Sequence, residues 1–182
     1  MRHSKASTSY STIHYWAGQN MVMEANGATG ATKGRYLRGT HLLAQEIDGA
    51  KYYYPFNAHG AVIPRIRDNG DSSPRYDYDT FGNELTLNTD PNPFRYCGEY
   101  LDDETGLIYL RARYYDSKTG RFISEDPARD GANWFAYCDN NPIERIDPSG
   151  KTYIIAWSYG TKDVAAFEEW LNANSYNVVA DG

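Results

Sequence analysis

One short pattern recurs along this chain: Tyr, two residues, Asn or Asp, two residues, Gly. It appears as Tyr54-Asn57-Gly60, Tyr76-Asp79-Gly82 and Tyr100-Asp103-Gly106, with a weaker copy at Tyr114-Ser117-Gly120. Successive copies are 22, 24 and 14 residues apart. Each position has a physical task. The tyrosine closes a strand, and the Asn or Asp side chain bonds its own backbone and opens a turn. The glycine adopts the positive φ that a tight turn requires. One copy is therefore about one β-hairpin. A lone hairpin is marginal in water, so the copies must pair into a larger sheet. The 17 tyrosines, against 6 Phe and 4 Trp, fit strands whose rings are buried while their hydroxyls reach polar partners.

Between the turns the sequence alternates as strands do. Over Leu107–Tyr115, Ile108, Leu110, Ala112 and Tyr114 share one face of an expected strand, and Tyr109, Arg111, Arg113 and Tyr115 share the other. Lys51–Tyr54, Arg75–Tyr78 and Glu84–Leu87 also read as strands. Pro64 confines the run Ala61–Arg67 to an edge or a bulge, or marks a decayed repeat. After Gly150 the pattern changes. Thr152–Ser158 reads as a buried strand, Thr161–Ala173 as a helix and Tyr176–Val179 as a further strand. The expected fold class is mainly β: an antiparallel hairpin sheet with a C-terminal plug, then the start of an α/β segment. The expected division is 1–75, partial repeats; 76–150, a core; and 151–182, the beginning of a different and truncated domain.

A net charge of −6 argues against a dedicated nucleic-acid binder. No stretch approaches the roughly 18 apolar residues of a membrane span. The first residues lack the apolar stretch of a secretory signal. Cys97 and Cys138 have no metal-ligand spacing and no histidine near them in sequence, so buried thiols or one optional disulfide are expected. No phosphate loop, Ser/His/Asp set or zinc motif is present, and neither cofactor nor metal is expected.

The segment Tyr96-Cys97-Gly98-Glu99-Tyr100-Leu101-Asp102 through Leu107-Ile108-Tyr109-Leu110-Arg111-Ala112-Arg113-Tyr114-Tyr115-Asp116 closely resembles the core of Rhs/YD-repeat proteins. So do Thr119-Gly120-Arg121-Phe122-Ile123-Ser124-Glu125-Asp126-Pro127, Asn140-Asn141-Pro142 and Asp147-Pro148-Ser149-Gly150. The resemblance covers about 50–150 well and 11–50 loosely. It implies a hollow β-shell closed by a plug. It also implies an intramolecular aspartyl protease that cuts after the terminal Asp-Pro-x-Gly and frees a variable, often toxic, C-terminal polypeptide. The implied partners are that segment, the remaining Rhs repeats and an immunity protein. The full-length parent is expected to be secreted or displayed at the cell surface.

By position, the resemblance assigns catalysis to Asp126 and Asp147 and the cut to Gly150–Lys151. Two carboxyls can share a proton, one acting as base toward water while the other protonates the scissile group. Two departures stand out: Lys151 follows the glycine where many members have an apolar residue, and Glu125 precedes Asp126 where some toxin-complex relatives have Arg. Arg121, Arg129 or Arg145 are candidate sources of positive charge. The plainer account makes Asp147-Pro148-Ser149-Gly150 a simple turn. For other clusters the plain account is favoured: Asp102, Asp103 and Glu104 as a solvated acidic turn, Arg111 and Arg113 as carboxylate partners, and Trp134, Phe135 and Tyr137 as anchors of the plug. Two further readings stay open: a non-catalytic β-scaffold binding carbohydrate or protein, and a gene remnant.

Overall fold

A computed structural model of the chain describes residues 2–6, 11–39, 41–86, 90–129 and 131–156. The expected helix at 161–173 and strand at 176–179 lie outside these residues. The described part is mainly antiparallel β, as expected. Seven strands form one sheet in sequential order: β1 (Ser4–Ala6), β2 (Ser11–Ala17), β3 (Asn20–Asn26), β4 (Thr32–Arg38), β5 (Leu42–Ile47), β6 (Ala50–Tyr53) and β7 (Ile66–Arg67). A second sheet, ordered β11-β10-β9-β8, contains β8 (Tyr100–Asp102), β9 (Leu107–Leu110), β10 (Arg113–Asp116) and β11 (Arg121–Phe122). A final hairpin pairs β12 (Arg145–Ile146) with β13 (Ile154–Ile155).

The period-2 pattern decides which face is buried. In β4, Gly34 and Tyr36 are buried while Lys33, Arg35 and Leu37 are exposed. Tyr36, Tyr54, Tyr76 and Tyr100 enter a core with Met21, Leu42, Val62 and Phe94. A second core, under β9 to β12, stacks Tyr115 on Tyr137 with ring centroids 4.1 Å apart and includes Ile108, Leu110 and Ile146.

The first two turns follow the expected chemistry. The Asn57 side-chain oxygen accepts the His59 and Ala61 amides, each at 3.0 Å, and Gly60 N–H donates to the Asn57 carbonyl. Asp79 does the same for Phe81 and Asn83, with Gly82 closing the turn. In the third copy the turn closes on the Asp102 backbone instead, and in the fourth Asp116, one position earlier, takes the task. The Asp102 carbonyl accepts Thr105 and Gly106, and Asp116 Oδ1 accepts Lys118. A further turn, closed by Gly70 on the Arg67 carbonyl, has Pro64 where the repeat has tyrosine. It leaves β7 as a two-residue strand at the sheet edge, one of the outcomes expected from Pro64.

Four strand expectations need correction. Leu107–Tyr115 is not one strand. It is two, joined by the two-residue turn Arg111-Ala112 with Leu110 opposite Arg113. Arg75–Tyr78 and Glu84–Thr86 make one isolated bridge, Tyr78 to Glu84, rather than a ladder. Of the run Thr152–Ser158, the described residues 152–156 are not a buried strand: β13 is two residues long, and Ile154 and Ile155 are 40% and 48% exposed.

Candidate functional site

The Asp147-Pro148-Ser149-Gly150 loop lies between β12 and β13, and it rests on the β9–β10 turn. Three successive turn residues bond three successive loop carbonyls. The Arg111 guanidinium donates to the Pro148 oxygen, Ala112 N–H to the Ser149 oxygen at 3.2 Å, and Arg113 Nε to the Gly150 oxygen at 2.6 Å. Arg111 holds φ = +60°, an uncommon conformation for a residue with a Cβ. Such a conformation costs about 1–3 kcal/mol and persists where surrounding contacts fix it. Here those contacts are the Pro148 carbonyl and an ion pair with Glu99 at 2.8 Å. Glu99 is buried, and that burial raises its carboxyl above the ordinary range even though Arg111 pulls the other way.

Gly150 is required on two counts. Its φ is +66°, and a Cβ there would lie 2.8 Å from the Arg113 amide nitrogen and closer still to the Leu110 carbonyl oxygen. Both are backbone atoms, which cannot swing aside.

Asp147 is buried, and its carboxyl divides its contacts. Oδ1 accepts the Ser149 hydroxyl at 2.9 Å and the Lys151 amide at 3.2 Å; Oδ2 faces the Arg113 guanidinium at 3.5 Å. The Lys151 amide also lies 3.1 Å from Ser149 Oγ. Both ends of the Gly150–Lys151 peptide group are thus engaged, the oxygen by Arg113 and the nitrogen by Asp147. The same Asp147 bonds are also those of an Asx turn.

Asp126 is buried too, at the start of its own turn. Its Oδ1 accepts Ala128 N–H at 2.9 Å, and its own N–H donates to the Trp134 carbonyl at 2.9 Å. That same carbonyl accepts Arg113 at 3.0 Å. No hydrogen bond joins the two carboxyls; Arg113 and the Trp134 carbonyl lie between them.

The three arginines named from sequence do not reach Asp147. Arg129 pairs with Glu125, Arg145 with Asp139, and Arg121 bonds Asn133. The charge at the site is Arg113, which sequence reasoning had placed only as a carboxylate partner. Arg113 and Arg111 do pair with carboxylates, Asp147 and Glu99, but Arg111 does so from the turn and Arg113 from the first residue of β10, rather than both from one strand face. The acidic run is also not simply solvated. Asp102 is buried and paired with Arg2 and Lys5. His59 Nδ1 lies 3.5 Å from Cys97 Sγ, although it is 38 residues away in sequence. Burial pushes the Cys97 thiol up, so this contact carries no thiolate. Among the described residues both cysteines are free and buried, and no cluster of three His, Cys, Asp or Glu side chains fits a metal. No helix among them is long and apolar enough to cross a membrane.

The alternating sheets and Tyr-x-x-Asn/Asp-x-x-Gly turns match a known family model, the teneurin YD-shell, over residues 28–143. The chain belongs to the YD-shell family. Its relatives include the tRNA3(Ser)-specific nuclease WapA of Bacillus spizizenii, 38% identical in an alignment of 152 residues that covers 76% of this chain and 6% of that protein. Toxin protein Tse5 of Pseudomonas aeruginosa is 45% identical over 60 residues, 32% of this chain and 5% of Tse5. A solved TcdB2-TccC3 structure without its hypervariable C-terminal region superposes with a TM-score of 0.62 at 21% identity, covering 81% of this chain and 8% of that one. This YD-shell chain therefore spans only a small fraction of the length of the relatives it matches, and the closeness to TcdB2-TccC3 is one of fold.

Proposed function

We propose that this region is the closing part of an Rhs-type toxin shell, that it cuts its own Gly150–Lys151 bond using Asp126 and Asp147, and that the cut frees the polypeptide beyond. On this reading 1–75 contributes shell repeats, 76–150 is the cutting core and 151–182 begins the effector. The parent would be secreted or surface-delivered in competition between bacteria, alongside the rest of the repeats and an immunity protein for the effector. The toxins named among the relatives support this setting. The carrying observation is the grip on one peptide group: Asp147 on the Lys151 nitrogen, within a loop pinned by the Arg111-Ala112-Arg113 turn. Holding the scissile bond beside its catalytic groups converts hydrolysis to an intramolecular problem, which a single-turnover cut exploits.

Intact-mass analysis of the 182-residue chain over time tests this. The expected products are 1–150 and 151–182. Asp126→Asn and Asp147→Asn should stay whole. Asn at 147 keeps an oxygen for the turn while removing the proton chemistry, so a whole chain would not simply reflect a lost loop. Wild type remaining whole at every pH would sink the reading.

A second reading keeps the loop as a latch in a non-catalytic scaffold that binds carbohydrate or protein. The separation of the Asp126 carboxyl from that of Asp147 and the Asx-turn geometry favour it. It requires an uncut chain and hits on a glycan array; a blank array counts against its carbohydrate form.

A further inference from the structure

We infer that Arg113 is the catalytic group that holds the charge developing on the Gly150 carbonyl oxygen during the cut, a role that rests on the self-cleavage reading above. Of the three turn residues on the loop, only Arg113 reaches the scissile carbonyl. Its Nε is the one hydrogen-bond donor to that oxygen among the described residues. The guanidinium is fixed on every side. It lies 3.5 Å from the Phe122 ring centroid, donates to the Trp134 carbonyl and faces Asp147. Its side chain is 4% exposed, so its field acts in a medium that screens poorly. A preoriented cation at a developing oxyanion lowers the barrier because it has no reorganising left to do.

In the step, a water oxygen bonds to the Gly150 carbonyl carbon while one of its protons passes to the Asp126 carboxylate. The carbonyl oxygen takes up the negative charge facing Arg113. The carbon–nitrogen bond then breaks as that proton, relayed through the Asp147 carboxylate beside the Lys151 nitrogen, is delivered to that nitrogen. One water is consumed, and the products are a Gly150 carboxyl terminus and a Lys151 amine. A lysine at 113 carries charge but lacks the planar fork that spans three acceptors at once.

The test measures the rate at which 151–182 appears by intact mass in wild type, Arg113→Lys, Arg113→Gln and Arg113→Ala, with melting temperature alongside. Arg113→Gln and Arg113→Ala are expected to slow the cut by about 10²–10³-fold. Guanidinium chloride, at a concentration that leaves the melting temperature unchanged, should restore part of the rate to Arg113→Ala and none to Asp147→Asn. Arg113→Gln cutting within about threefold of wild type overturns the inference. So does an Arg113→Ala chain that is slow and does not respond to guanidinium, because that marks a purely structural arginine. An uncut wild-type chain overturns the self-cleavage reading itself, and this inference with it.

Discussion

Replacing Gly150 by alanine tests how tightly the loop rests on the β9–β10 turn. The substitution carries two costs. A left-handed backbone conformation costs a non-glycine residue about 1–2 kcal/mol. The new methyl would also sit 2.8 Å from the Arg113 amide nitrogen and nearer to the Leu110 oxygen, an overpacking worth about 1–3 kcal/mol. Together these make about 2–5 kcal/mol. The loop could escape by lifting off, but that forfeits two bonds to guanidinium groups at about 1.5–3 kcal/mol each and one neutral bond at about 1 kcal/mol. Lifting off is the dearer course, so the loop should stay docked and strained. A chain of this size loses about 2–4 °C of melting temperature per kcal/mol, which puts the drop at about 4–20 °C. Gly106→Ala is the control. Gly106 also has positive φ, +71°, but nothing lies within 4 Å of its would-be Cβ, so only the conformational cost of about 1–2 kcal/mol applies. Both variants are best melted in an Asp126→Asn background, where every chain is expected to stay whole. Equal melting temperatures for the two would refute the contact between Gly150 and the turn backbone.

Two other perturbations probe the buried ion pairs. Burial raises Glu24, but the His14 ring 3.3 Å away and hydrogen bonds from Tyr36 and Tyr100 outweigh it and hold the carboxyl below the ordinary value; the stability it contributes is therefore present above pH of about 4.5 and lost as pH falls through the folded value. Glu24→Gln should cost about 1–3 kcal/mol at neutral pH, and urea midpoints should show the gap to wild type closing in acid; a gap that does not change with pH would contradict this. Asp102→Asn leaves Arg2 and Lys5 without their buried partner, a loss of about 2–4 kcal/mol, and hydrogen exchange at residues 2–6 should quicken; unchanged protection there would show that the N-terminal strand is held by something else.

Local chemistry was legible and tertiary placement was not. The Asn57 and Asp79 turns could be read directly because donor, acceptor and glycine lie within seven residues. The Arg111-Ala112 turn was hidden for a physical reason. It contains none of the usual turn residues, and a two-residue loop preserves the period-2 parity, so alternation runs straight through it. Arg113 could not be assigned its acceptors because Trp134, Asp147 and Gly150 arrive from 21, 34 and 37 residues downstream. Asp102 looked solvated because its partners, Arg2 and Lys5, lie about 100 residues upstream. Its acidic neighbours in sequence suggested water; the fold supplied cations instead. Asp126 and Asp147 were named through a family resemblance, and spacing alone gives no reason to single them out from other Asp-Pro turns.

The abundance of tyrosine bears on the site as well as on the sheets. Glu24 and Asp90 are met by tyrosine hydroxyls, and Asp90 also by a guanidinium. Tyr36 and Tyr100 donate to Glu24 at 2.6 and 2.7 Å, and Tyr76 with Arg65 holds Asp90. A phenylalanine would fill the same space but leave the charge unpaired, at a cost of several kcal/mol. Such networks resist sliding, because shifting one strand orphans every partner at once. The Asp147-Pro148-Ser149-Gly150 loop sits on the last of these networks, where Glu99 fixes Arg111 and Asp147 faces Arg113. A buried guanidinium that let go of its acceptors would gain no water in exchange, so it stays where it is. The rigidity that keeps the sheets in register is therefore the same rigidity that holds the Gly150 carbonyl against Arg113.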